Sequence, residues 1–173
     1  MKISTLLTFL LIVIAGPLTA QTLDDLVAEY ERAKKLTLTY VEAMPDDKFD
    51  YRPADSVRTY AQQMLHSAQG MIGLSANGTG ADRIYANENL EQTEKYQSKE
   101  EVTRIITEVF DYTIASIKKM DASTFNEIVE RGPFKISRIN WLNKSHEHLA
   151  HHRGQCAIYL RMNGIKPPQY QLF

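Results

Sequence analysis

The stretch that decides the fold is a connection, GTGADRIYANENLEQTEKYQ, residues 78–97. It is rich in glycine, asparagine and charge and shows neither the helical nor the strand period, so it reads as a link. Helix connections in bundles usually take about 2 to 8 residues. A link this long is unusual between antiparallel neighbours, but it can carry the chain back along a bundle so that the helices on either side run parallel.

Helical patterns flank the link on both sides. The second helix is expected to begin at Thr59, where Thr-Tyr-Ala-Gln fits a capping box, and to close at Asn77-Gly78. The third begins at Ser98, in a second capping box of Ser-Lys-Glu-Glu, and runs through Val102, Ile105, Ile106, Val109 and Thr113 to about Met120. Further out, the first helix is expected over Leu23 to Met44, with Thr22 as its cap and Pro45 as its stop. The fourth spans about Asn140 to Asn163, ended by Gly164 and Pro167-Pro168. Phe134 to Ile139 is the one short strand candidate, so the fold class is all-α, a four-helix bundle.

A chain of 173 residues with 43% hydrophobic and 24% charged residues has the balance of one globular domain. Its net charge of −1 lacks the basic footprint of a nucleic-acid binder, and nucleic acid is not an expected partner. Residues 1–20 follow the pattern of a secretory signal: Lys2, an apolar run from Thr5 to Ala15, the Gly16-Pro17 break, then Leu18-Thr19-Ala20. Cleavage after Ala20 would leave residues 21–173 as the mature domain, exported to the periplasm or secreted. The apolar run falls well short of the ~20 residues that span a bilayer, so no stable membrane anchor is expected. Cys156 has no cysteine partner in the chain and reads as a small buried hydrophobe.

Chemistry concentrates in HEHLAHHRGQ, residues 146–155, which holds four of the five histidines. His148 and His152 stand one turn apart on the fourth helix, with Cβ atoms roughly 5 to 6 Å apart, near enough to reach one ion. Trp141, Ser145, Gln155 and Tyr159 share their side of the wheel, while Arg153, Arg161 and Glu147 point away and His146 falls on the rim. A hydrogen-bonded, metal-free pair is the other reading of the same spacing, because a complete metal site normally needs a third protein ligand. The remaining histidine, His66, lies nearly opposite Tyr60, Met64, Ala68 and Met71, which reads as exposed. Gly70 and Gly73 on its side argue the other way, since glycine in a helix suits close approach of a neighbour.

The placement of His66 within Tyr-Ala-Gln-Gln-Met-Leu-His, the segment His148-Leu-Ala-His-His-Arg-Gly-Gln155, the ending Tyr-Leu-Arg-Met-Asn-Gly-Ile-Lys-Pro-Pro and the Phe-Asp-Tyr-Arg-Pro approach to the second helix together resemble the DinB-like family of damage-inducible proteins. The resemblance implies an up-down-down-up bundle and a divalent metal held by His66, His148 and His152. Family members are described as metal-dependent hydrolases, and some transfer low-molecular-weight thiols, an activity that export would make a poorer guess here. A homodimer is a further implication of the resemblance.

Two function classes follow. One is an exported metal-dependent hydrolase of a small molecule, with Tyr159, Gln155 or His151 assisting, and Asp111 or Glu108 of the third helix as unplaced carboxylates. The other is a metal- or small-ligand-binding protein without catalysis. Imidazole ligands suit zinc as the default, with nickel, iron or manganese as alternatives.

Overall fold

The computed structural model describes residues 21–172 of the chain; the expected signal sequence, residues 1–20, lies outside the described residues. Four helices make the bundle: α1 Leu23–Ala43, α2 Tyr60–Thr79, α3 Lys99–Lys118 and α4 Arg138–Met162. Their starts follow the caps. Thr22 accepts from the Asp25 N–H while Asp25 accepts from the Thr22 N–H, and Thr59 and Gln62 make the same reciprocal pair. At α3 the expected box is only half made. Ser98 accepts from the Glu101 N–H, but the Glu101 carboxylate turns outward to Arg104 at 2.7 Å. Gly80, at φ 79°, ends α2 by donating its N–H to the Ala76 carbonyl.

The strand candidate pairs with a segment that sequence reading left irregular. β1 Ile128–Arg131 and β2 Phe134–Ser137 form a small antiparallel hairpin, with Ile128 opposite Ser137 and Arg131 opposite Phe134. Gly132 turns it at φ 57°. The hairpin leads straight into α4, which therefore starts two residues before the expected Asn140.

Long-range hydrogen bonds set the direction of each helix. Tyr60, at the start of α2, donates its hydroxyl to the Tyr40 carbonyl near the end of α1, so the first two helices are antiparallel. From the end of α2, residues 80–98 walk back along that helix: Gln69 bonds the backbone of Glu88 and Leu90, Glu91 meets His66, and then Arg58 just before α2 begins. The link thus delivers α3 beside the start of α2. Lys99, at the head of α3, donates to the Glu42 carbonyl and pairs with Asp46 at 3.2 Å, fixing it against the end of α1. On α4, Tyr159 donates to the Arg58 carbonyl, whereas Leu142 lies against Gly78 at the far end of α2. Tyr30 donates to the Leu142 carbonyl and Arg153 to Thr37, so α4 runs with α1. The path is up-down-down-up, as the long link allows and the family resemblance implies.

The core sits between these helices, with Tyr30, Leu36, Met64, Leu65, Ile105, Ile106, Phe110 and Leu160 buried in it. Cys156 is buried there as expected, and burial pushes its thiol pKa up. Arg153 corrects the helical wheel: instead of pointing away it is 3% exposed. The cause is that α4 packs on α2 along one side and on α1 along another, so a single apolar stripe does not describe it.

Leu90 is the one residue of the link's middle that is wholly buried, and it anchors the return path. Leu90→Ala is expected to destabilise the fold by about 2–5 kcal/mol, read as a fall in the urea midpoint.

Candidate metal centre

Close approach of α4 to α2 builds the site. At residue 70 no room exists for a side chain: a Cβ there would overlap the His148 ring, standing 2.6 Å from its Nδ1. Glycine at that turn of α2 lets the His148 imidazole lie across the helix backbone. Gly73 has open space around it, so the close-approach reading holds for Gly70 and not for Gly73.

The three rings of His66, His148 and His152 converge where the two helices meet. One ligand atom from each lies within 4.8 Å of the others, an arrangement that could hold a metal ion. His148 Nε2 and His152 Nε2 are 3.1 Å apart. Two ligands at 2.0–2.1 Å in a tetrahedron stand roughly 3.3 Å apart, so this spacing needs little adjustment around zinc.

What lies behind the rings decides which nitrogen is offered. Glu91 Oε2 accepts from His66 Nδ1 at 2.9 Å, which leaves the His66 Nε2 lone pair free. Arg58 Nε donates to the other carboxylate oxygen at 2.9 Å. Burial raises the Glu91 pKa, but the hydrogen bonds from Arg58 and His66 outweigh it and hold the carboxyl below its ordinary range. Behind His152, the Gln63 side-chain amide lies 2.8 Å from Nδ1 and also bonds Gln155, which in turn meets His151 Nε2 at 3.0 Å. With the Gln63 nitrogen toward the ring, His152 carries its proton on Nε2. Turning the Gln63 and Gln155 amides over reverses the chain of bonds and frees Nε2 as a ligand atom. His148 Nδ1 is buried with no partner among the described residues. An unpartnered ring nitrogen is costly and an ion on Nε2 would not relieve it, so His148 is positioned by packing against α2 and not by a hydrogen bond at Nδ1. Three imidazoles with ligand atoms within 4.8 Å of one another are the donor set that fits a divalent ion.

Burial also keeps the His148 and His152 rings neutral. The His152 pKa is brought down to about 4, by burial first and then by His148, His66 and His151. His148 is lowered by burial, then by His66, His151 and Arg58. Neutral imidazole is the form that binds metal.

The other sequence candidates fall at stated places. Tyr159 is buried and its hydroxyl is committed to the Arg58 carbonyl. Gln155 was expected to face the bundle; it is exposed, but its amide still reaches Gln63. His151 is exposed, its ring 4.9 Å from that of His152. His146 turns to α1, edge-on to Tyr30 and 3.9 Å from Glu29. Glu108 pairs with Arg104, Asp111 with Lys34 and Glu147 with Lys144, so none serves the site. The carboxylate that does, Glu91, escaped sequence reading because it sits in an aperiodic link. Its only trace was the length of that link.

Residues 29–156 match the family model of the DinB superfamily. The fold is similar to a DinB-like protein of Bacillus cereus, with TM-score 0.76 and 16% identity over 87% of this chain and 99% of that one. A DinB-like protein of Bacillus subtilis gives TM-score 0.70 and 17% identity, covering 84% and 97%. A conserved protein of Enterococcus faecalis gives TM-score 0.60 and 11% identity, covering 83% and 97%. No curated protein matches the sequence.

Gly70→Ala, which would favour an exposed helix by about 1 kcal/mol, is expected here to displace His148 and weaken metal uptake at least about tenfold while the helical circular dichroism persists. The metal-free chain is expected to lose stability as pH falls from 6.5 toward about 4. Across that window the unfolded chain binds protons that the folded His152 refuses, and above it both states are neutral. Urea unfolding at stepped pH checks this, and His152→Gln should flatten the decline.

Proposed function

The chain belongs to the DinB superfamily, and we propose that it is an exported member that holds one divalent cation, zinc by default, on His66, His148 and His152 and hydrolyses a small molecule there. The observation that carries the proposal is the convergence of the three imidazoles within 4.8 Å, two of them backed by Glu91 and Gln63. Three protein ligands leave a coordination position open, as catalytic zinc sites do. A cation in such a site supplies Lewis acidity, activating water near neutral pH and polarising a carbonyl or phosphoryl oxygen.

This chain's own residues supply the rest. Glu91 fixes the His66 ring, and Gln63, with its amide turned over, fixes that of His152, so two of the three rings are set in place for an ion. A cavity of about 660 Å³, the size of a small-molecule pocket, has in its wall Gln63 and Glu91, which back two of the rings, and Gln155, while none of the three histidines lines it. Of the three assisting candidates, Tyr159 has its hydroxyl engaged and Gln155 has no proton to exchange at neutral pH. His151, exposed beside His152 and joined to it through Gln155 and Gln63, is the group we assign to proton transfer. Export rests on the three-part pattern of residues 1–20.

One observation favours a binding protein without catalysis. The site's carboxylate is already shared between Arg58 and His66, so it is poorly placed to act as a base. A screen of ester, amide and phosphoester substrates with zinc, nickel, iron and manganese added back separates the two classes: turnover lost on chelation supports the hydrolase, and metal uptake without turnover supports the binder.

Untagged mature chain is expected to carry about one divalent ion by elemental analysis. His66→Ala, His148→Ala and His152→Ala should each abolish uptake, whereas His146→Ala should not. A chain that stays empty in metal-replete medium, or that depends on His146, overturns the assignment. Cell fractionation should place the mature protein outside the cytoplasm; an intact N-terminus on cytosolic protein overturns export.

A further inference from the structure

We infer that the cleft beside the three histidines selects small organic monoanions with an apolar body, their carboxylate gripped by Arg58. The inference rests on that cleft being where the substrate of the proposed centre sits.

Two kinds of lining give the cleft its character. Its apolar lining is Pro53, Val57, Ile158 and Tyr159. Val57 is 41% exposed and Ile158 is 53% exposed, which leaves apolar surface open to solvent. An apolar body laid against them removes that surface from water.

The polar lining presents a donor group. Arg58 gives its Nε to Glu91, and neither of its Nη groups donates to any described residue. Those N–H groups form half of a planar fork that matches a carboxylate in geometry and charge. Glu91, the nearest acceptor, is occupied on both oxygens by Arg58 and His66. The free Nη groups of Arg58 therefore call for an acceptor on the ligand, while the other free charge of the lining, Asp55, is exposed to water.

The charge count limits the anion to one. Asp55 and Glu91 share the cleft wall with Arg58, the one cation in it, so a dianion such as a phosphate monoester would bring a second charge that no cation meets and both carboxylates repel. A single carboxylate on an apolar chain engages the free Nη groups and meets that repulsion only once.

Isothermal titration of the mature protein with hexanoate, 1-hexanol, hexylammonium and hexyl phosphate tests the assignment, on zinc-loaded and on metal-stripped protein. Hexanoate is expected to bind at least about tenfold more tightly than the other three in both forms. Arg58→Gln should erase the preference and Arg58→Lys keep part of it. Ile158→Asp, at an exposed position, should weaken hexanoate about tenfold with zinc content unchanged. Equal affinity for hexanoate and hexanol, or full affinity in Arg58→Gln, overturns the inference. A preference that vanishes on stripping shows the carboxylate held by the ion, which overturns the Arg58 clamp and leaves the metal centre standing. A preference that persists in a chain that takes up no zinc supports the clamp and overturns the metal centre instead.

Discussion

The absence of a side chain at Gly70 governs how the two main halves of this bundle meet. With no Cβ at that turn, the His148 ring lies across the backbone of α2, and α4 comes near enough for His148, His152 and His66 to share one point. A methyl group there would have to move a ring or part the helices. The same close contact buries His148 and His152, and burial keeps those two rings neutral and able to bind a cation. Packing, electrostatics and chemistry thus trace to one missing side chain.

The long link has a second consequence beyond topology. By walking back along α2 it places α3 parallel to that helix, and on the way it sets Glu91 between His66 and Arg58. A short turn would have made an up-down bundle and left the His66 ring without its carboxylate. Leu90, buried next door, turns the link into a fixed wall of the site, so Glu91 can orient a ligand ring and lend its other oxygen to the cleft arginine.

Much of the fold was legible because capping and periodicity are local. Thr22, Thr59 and Gly164 mark helix ends as their chemistry dictates, and residues 78–97 are long enough to serve as a return path. What sequence missed were features fixed by tertiary contact. β1 has no alternating pattern to announce it and exists through its pairing with β2. Arg153 is buried because α4 is covered on two sides, which a wheel with one face cannot express. At the site, the spacing of His148 and His152 was plain, but the wheel set His66 apart from the apolar side of its helix. It is half-buried because the α4 rings and Glu91 come to it. Glu91, Arg58 and Gln63 carried no pattern, since a residue that supports a ligand needs only to arrive at the right place.

The central claim is that three imidazoles, two of them held from behind, form one metal centre. X-ray absorption spectroscopy of the zinc-loaded mature chain measures this directly. The account predicts three imidazole nitrogens at about 2.0–2.1 Å, with light-atom scattering in the remaining position and no sulfur. Fewer than three imidazoles, or a sulfur ligand from Cys156, would contradict it.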